Sequence, residues 1–263
     1  MVRALNPFHF MQIKTEFVNI PVANQTMRAF VASPANEGRY PGIVLFTDIF
    51  QLGDSVRRTI GRLAGYGFVI AAHEMFHRHE PAGTVLEQNE AGIARGMTAQ
   101  KAMPIAQFDE DCRAVIAYLQ QHPQVDADQL GATGFCIGGH LAFRAALQPE
   151  IKASVCFYPS WLHSGALGEG QQADSLARAT EIKGELLVLF GSLDTLVPPE
   201  GREIIETALR QSSVKYETRL YEAAHGFVRE DRATHDPECT DAAIAETVKW
   251  FRRIADKGIT AEE

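Results

Sequence analysis

The pattern of apolar and polar positions predicts an α/β protein. Segments 17–22 and 27–32 predict an N-terminal antiparallel pair, and from Gly42 onward strands alternate with helices. Continuous apolar runs, such as 43–46 and 185–190, are typical of parallel strands covered on both faces. Because alternating strands and helices favour parallel pairing with helices on both sides, we expect a doubly wound, mostly parallel sheet.

Further elements complete this alternation. Helices are predicted at 56–66, 107–121, 139–147, 200–210 and 241–256, and strands at 68–72, 130–135, 151–158 and 214–221. The segment 159–182 is rich in Gly, Ala and Gln and is too short for a large cap domain. We therefore expect one domain over residues 1–263, with an open cleft suited to a small substrate.

A glycine-flanked cysteine provides the first candidate chemistry. Cys136 lies in Gly134-Phe135-Cys136-Ile137-Gly138-Gly139, the G-x-S-x-G nucleophile-elbow pattern with cysteine in place of serine. A strand before it and a helix after it suit the sharp turn that this pattern requires. The alternative is a small buried thiol in a glycine-rich turn.

The other three cysteines have ordinary structural positions. Cys112 lies on the apolar stripe of a predicted helix, Cys156 in a buried strand, and Cys239 in a loop. The chain has no C-x-x-C pair, which argues against a zinc ribbon or a disulfide scaffold. Only Cys136 lies in a glycine-flanked turn.

Two residues downstream of Cys136 complete a catalytic triad in the required order. Asp194 follows the strand 185–190, and His225 follows the strand 214–221. Nucleophile, acid and histidine in this order, each after a strand, are the arrangement of α/β-hydrolases. His225 would accept the thiol proton and Asp194 would orient it. The backbone amides of Ile137 and Ile49 would form the oxyanion hole.

Composition excludes several classes of function. The formal charge is −8 and there is no long basic run, so nucleic-acid binding has little electrostatic support. No apolar run is long enough to span a bilayer. Residues 1–10 lack the apolar core of a secretory signal, and we expect a cytoplasmic protein. We expect a monomer or a small homo-oligomer, and a small molecule as the binding partner.

Taken together, these motifs resemble the dienelactone hydrolase (carboxymethylenebutenolidase) family of α/β-hydrolases. The resemblance covers nearly the whole chain and also includes Asp48-Ile49-Phe50 and Ala224-His225-Gly226-Phe227-Val228-Arg229. It implies an α/β-hydrolase fold and hydrolysis of an enol-lactone or a related small ester, without a metal or cofactor. Cys136, Asp194 and His225 match the family triad, and Ile49 and Ile137 match the oxyanion amides.

The resemblance also implies roles in substrate binding. Arg229 matches an arginine that binds the substrate carboxylate, which suits a guanidinium fork. Arg95 and Arg78 are candidates for a second such arginine. From its place at the end of the predicted strand 151–158, and apart from the resemblance, Tyr158 is a candidate wall of the pocket, with packing in the core or at the rim as the alternative. Asp48 stands where the family has a glutamate that modulates the nucleophile, and it is one methylene shorter.

Three alternatives remain open from the sequence. The chain could be a general carboxylesterase or thioesterase, or a non-catalytic redox-sensing or binding module. His73, His77 and His79 could suggest a metal site, but the segment follows a strand and runs into Pro81. Because H-x-x-x-H ligands need a helix to share one face, we expect these histidines to line the rim of the cleft.

Overall fold

The apolar runs of the sequence form one eight-stranded sheet in the order β1-β2-β4-β3-β5-β6-β7-β8. This is a computed structural model that describes residues 11–259, with side chains described to residue 253. Residues 1–10, for which the sequence predicts no secretory signal, lie outside that range. The strands are β1 (Ile13–Val22), β2 (Gln25–Pro34), β3 (Tyr40–Phe46), β4 (Val69–His73), β5 (Val125–Phe135), β6 (Ile151–Phe157), β7 (Glu185–Gly191) and β8 (Lys215–Tyr221).

The pairing confirms the expected sheet. β1 pairs antiparallel with β2, and β2 pairs antiparallel with β4. From β4 to β8 every neighbouring pair is parallel. Successive residues of β3 alternate between two buried clusters, with Ile43 and Leu45 in one and Val44 and Phe46 in the other. This explains the continuous apolar run, because both faces of the strand are covered.

Helices cover the two faces of the sheet. They are α1 (Asp54–Ala64), α2 (Glu90–Ala102), α3 (Ile105–Gln121), α4 (Ile137–Ala145), α5 (Pro199–Gln211) and α6 (Pro237–Ile259). Apolar residues of α1 and α6 belong to one cluster, and those of α3, α4 and α5 belong to the other. The layers are therefore helix, sheet and helix, as the alternation predicts.

One helix, α2, is absent from the sequence-based expectation. Its buried residues are Gly92, Gly96, Ala99 and Gln100. Small and polar residues give no strong apolar periodicity, which is why the pattern does not reveal this helix. The segment 159–182 contains only two short 3-10 turns, Glu169–Gln171 and Leu176–Glu181. Within residues 11–259, no helix has the length and apolar character needed to cross a membrane.

Candidate active site

The candidate residues gather at the carboxyl edge of the parallel strands. Cys136 directly follows β5, Asp194 follows β7, and His225 follows β8. After β3 the next strand, β4, is added on one side of the sheet, whereas β5 to β8 are added in order on the other side. The strand order therefore reverses between β3 and β5. In open α/β sheets, ligands bind outside the carboxyl ends of the strands at this point.

The backbone at Cys136 has the strained geometry of a nucleophile elbow. Its φ is 61° and its ψ is −121°, a conformation that residues with a side chain rarely adopt. A Cβ on Gly134 would lie 2.1 Å from the carbonyl oxygen of Gly138, and a Cβ on Gly138 would lie 2.3 Å from that of Phe46. The glycines are needed because the strand, the turn and α4 approach each other this closely.

Asp194 and His225 form a hydrogen-bonded pair. His225 Nδ1 lies 2.8 Å from Asp194 Oδ2, while Asp194 Oδ1 accepts the amide hydrogens of Leu196 and Val197 at 2.7 and 3.2 Å. Burial lowers the pKa of His225, but the charge of Cys136 and the hydrogen bond with Asp194 outweigh it and raise the pKa to about 10. Asp194 holds the imidazole at Nδ1, while His225 Nε2 has no hydrogen-bond partner among the described residues and stays available to a thiol proton.

The loop after β3 packs against the elbow. Asp48 accepts hydrogen bonds from two amides of this loop, that of Phe50 through Oδ1 at 2.9 Å and that of Gln51 through its carbonyl at 3.1 Å. Helix α2 supports the loop, because a Cβ on Gly96 would lie 2.9 Å from both Ile49 Cβ and Ile49 O. Ile137 is the first residue of α4, so its amide has no acceptor within the helix.

Arg229 is already bound to two carboxylates. Its Nη1 donates to Asp48 Oδ2 at 2.6 Å, and its Nε and Nη2 donate to Asp231 at 2.9 and 2.7 Å. The Arg229 and Asp48 side chains are each 3% exposed. Burial lowers the pKa of Arg229, but Asp231 and Asp48 raise it above its ordinary value. The positive charge expected to bind a substrate carboxylate is therefore already neutralised within the protein.

The sequence profile of the dienelactone hydrolase family matches residues 27–255. The chain belongs to this family. A candidate carboxymethylenebutenolidase of Saccharomyces cerevisiae is 34% identical over 238 residues, covering 87% of each chain. One of Synechocystis sp. is 30% identical over 243 residues, covering 92% of this chain and 98% of the relative.

Solved structures show the same fold. A candidate dienelactone hydrolase of Klebsiella pneumoniae superposes with a TM-score of 0.79 at 24% identity, covering 92% of this chain and 99% of the other. An esterase of Pyrobaculum calidifontis gives a TM-score of 0.68 at 18% identity, covering 92% of this chain and 85% of the other. The expected α/β-hydrolase fold is confirmed. As a dienelactone hydrolase family member, the protein is a hydrolase of carboxylic esters or lactones.

The other arginines predicted to bind substrate are also paired. Arg78 is 9% exposed and forms ion pairs with Asp111 and, at 2.8 Å, with Glu110 of α3. Arg95 lies on α2, is 56% exposed and pairs with Glu80. The structure thus gives each predicted arginine a carboxylate partner from the protein itself.

Tyr158 lies against the predicted triad, completely buried after β6. Its ring meets that of His225 edge-on at 4.8 Å, and its hydroxyl has no hydrogen-bond partner among the described residues. Burial raises the pKa of Tyr158, and the charges of Asp48 and Cys136 raise it further. Tyr158 therefore packs against the imidazole of His225, and its role as a wall of the pocket stays a prediction.

The histidine segment lies beside the site but builds its own buried cluster. His77 Nε2 lies 3.2 Å from Asp111 Oδ2, and burial lowers the pKa of His73 to about 4. Within residues 11–253, no group of three or more His, Cys, Asp or Glu side chains is placed to hold a metal ion. His77 is 4% exposed at its side chain, so it packs inside the protein rather than at the rim.

Two residues outside the predicted motifs also lie at the site. Ser160 Oγ is 3.3 Å from Cys136 Sγ. Arg232 donates from Nε to Gln88 at 2.9 Å, and its guanidinium lies 5.0 Å from the ring centre of Phe50. No motif marks either residue, because each lies in an irregular segment whose path the sequence pattern does not predict.

Proposed function

We propose that this dienelactone hydrolase family member cleaves an enol-lactone or a related small ester through a Cys136-His225-Asp194 triad and a thioester intermediate. The observation that carries the proposal is the Asp194–His225 hydrogen bond of 2.8 Å beside a cysteine in the strained elbow conformation. Nucleophile, base and orienting group in this order are the arrangement required for acyl transfer.

In the first half of the reaction, His225 accepts the thiol proton and the sulfur attacks the ester carbonyl carbon. The amides of Ile49 and Ile137 stabilise the negative oxygen of the tetrahedral intermediate. The bond to the leaving oxygen then breaks, and that oxygen, an enolate in a lactone of this type, takes the proton from His225. The acyl group remains on Cys136 as a thioester.

In the second half, water attacks the thioester while His225 accepts one of its protons. The carbon–sulfur bond breaks, the acid is released, and the proton returns to the sulfur. Asp194 stabilises the imidazolium in both halves, as the acid of a triad does. The raised pKa of His225, about 10, supports its role as the group that holds this proton.

Any carboxylate on the substrate needs a cation that the protein has not neutralised. Arg229 is bound to Asp48 and Asp231, whereas no ion pair links Arg232 to a carboxylate among residues 11–253. A Cβ on Gly226 would lie 2.6 Å from Arg232 Nη1, so this guanidinium lies against the backbone of the residue that follows His225. We therefore assign recognition of a substrate carboxylate to Arg232.

Trapping the acyl-enzyme tests the proposed chemistry. Wild type, mixed with 4-nitrophenyl acetate or a dienelactone and quenched in acid, should carry one acyl group on the peptide containing Cys136. In Cys136→Ala, kcat/KM should fall by about a thousandfold or more, because the nucleophile is gone. Full activity in this variant would refute the mechanism.

Cys156→Ala is the matched control. Cys156 is also completely buried, but it lies within β6, the strand next to β5, and outside the three segments that carry the predicted triad. Its removal should leave both the acyl adduct and kcat/KM near the wild-type values. A similar loss of activity in both variants would indicate damage to the fold rather than to the chemistry.

A further inference from the structure

The nucleophile has a buried hydroxyl group as a neighbour. Ser160 Oγ lies 3.3 Å from Cys136 Sγ, and Ser160 is completely buried. The amide of Ser160 donates to the carbonyl oxygen of Cys136 at 3.1 Å, so backbone and side chain both face the elbow. No other hydrogen bond of this hydroxyl is found among the described residues.

A chain of buried polar groups holds Ser160 in place. Arg144 Nη1 donates to Ser175 Oγ at 3.0 Å, and His140 Nε2 lies 2.7 Å from the same oxygen. At the other side of the ring, His140 Nδ1 lies 3.2 Å from the carbonyl oxygen of Ser160. Arg144 is itself fixed by Asp109 at 2.9 and 2.7 Å and by Asp174 at 2.7 Å.

The directions of these hydrogen bonds follow from the carbonyl oxygen of Ser160, which can only accept. The proton of the neutral imidazole therefore lies on Nδ1 and is donated to Ser160 O. His140 Nε2 then accepts the hydroxyl hydrogen of Ser175, whose oxygen accepts from Arg144. Burial, followed by the charge of Arg144, lowers the pKa of His140 to about 3, so the ring stays neutral at ordinary pH.

We propose that Ser160 binds the sulfur of Cys136 through its hydroxyl hydrogen and favours the thiolate, with Arg144, Ser175 and His140 as positioning residues. A buried hydroxyl needs an acceptor, and the sulfur is the one within reach. A hydrogen bond to a charged acceptor is stronger than one to a neutral acceptor, so the contact stabilises thiolate over thiol. The proposal rests on the proposed role of Cys136 as nucleophile.

The rate of alkylation against pH tests this contact directly. Wild type and Ser160→Ala are treated with iodoacetamide from pH 5 to 10, and modification of the Cys136 peptide is followed by mass spectrometry. In Ser160→Ala the midpoint should move upward by about one pH unit, and the rate at a pH below both midpoints should fall about tenfold, because one hydrogen bond to the thiolate is lost. A midpoint equal to that of wild type would overturn the proposal.

Two further variants separate this role from a structural one. Ser154→Ala removes another completely buried hydroxyl, one without a hydrogen-bond partner among the described residues, and should leave the midpoint unchanged. Ser175→Ala breaks the link to His140 and should move the midpoint in the same direction as Ser160→Ala, by a smaller amount. It also keeps the proposal testable if Ser160→Ala fails to fold.

The Ser160–Cys136 contact and the proposed function can be refuted separately, the first by alkylation and the second by ester hydrolysis. An active Cys136→Ala variant would refute the proposed function without touching the Ser160–thiolate contact, which alkylation measures on Cys136 itself. An unchanged midpoint in Ser160→Ala would refute the contact while leaving the triad intact.

Discussion

Asp48 and Arg229 form a buried ion pair between the loop after β3 and the loop after His225. The Nη1–Oδ2 distance is 2.6 Å, and both side chains are 3% exposed. The family resemblance implies that Asp48 modulates the nucleophile and that Arg229 binds substrate. The contact joins the two side chains to each other, and it ties the proposed oxyanion loop to the loop that carries His225.

Asp48→Asn should therefore mainly reduce stability. We expect the free energy of unfolding to fall by about 3 kcal/mol, because Arg229 loses a buried charged partner. Urea denaturation measures this loss. Asp231→Asn is the control: Asp231 is 35% exposed, and its removal should cost about 1 kcal/mol or less. Unchanged stability with altered alkylation of Cys136 would instead favour direct action of Asp48 on the thiol.

Most of the fold could be predicted because it depends on local patterns. The apolar runs of β3 and β7 and the order of Cys136, Asp194 and His225 follow from sequence spacing alone. The partners of Arg229 could not be predicted, because Asp48 is 181 residues away and nothing local indicates that their loops meet. Helix α2 could not be predicted for a related reason: Gly96 is buried where Ile49 approaches it closely, and a buried glycine adds nothing to an apolar stripe.

Gly138→Ala should prevent the nucleophile elbow from adopting its folded conformation. The added Cβ would lie 2.3 Å from the carbonyl oxygens of Phe46 and Thr47, and backbone atoms cannot give way as a flexible side chain can. We expect a loss of about 3 kcal/mol or more in the free energy of unfolding. Gly61→Ala in α1 meets only the Cδ1 atom of Ile13 and should be neutral or slightly stabilising. Equal melting temperatures for the two variants would contradict this account.

The raised pKa of His225 makes stability depend on pH. Its ordinary value is 6.5 and its value in the protein is about 10, so the stabilisation is complete below pH 6.5 and is lost as the pH rises through about 10. Because the charge of Cys136 is the largest cause that raises this pKa, Cys136→Ala should lower it by about one unit or more. NMR titration of the imidazole measures the pKa, with Cys156→Ala as the control. An unchanged pKa in Cys136→Ala would show that the sulfur carries no charge beside His225.

Arg232, rather than Arg229, should select substrates that carry a carboxylate. The test is the ratio of kcat/KM for the 4-nitrophenyl monoester of succinic acid to kcat/KM for 4-nitrophenyl butyrate. The two acyl groups are of similar length, and only the first carries a carboxylate. Arg232→Ala should lower the ratio about tenfold, the effect of one ion pair worth about 1.4 kcal/mol in the transition state. Arg232→Lys keeps the charge and should retain most of the preference.

Arg229→Met provides the contrast. It should reduce the free energy of unfolding, because Asp48 is left buried without its partner, but it should leave the substrate ratio near that of wild type. The opposite pattern, a ratio that collapses in Arg229→Met and survives in Arg232→Ala, would mean that substrate displaces Asp48 or Asp231 from Arg229. Arg229 would then bind the substrate carboxylate as the family resemblance implies, and Arg232 would have no part in recognition.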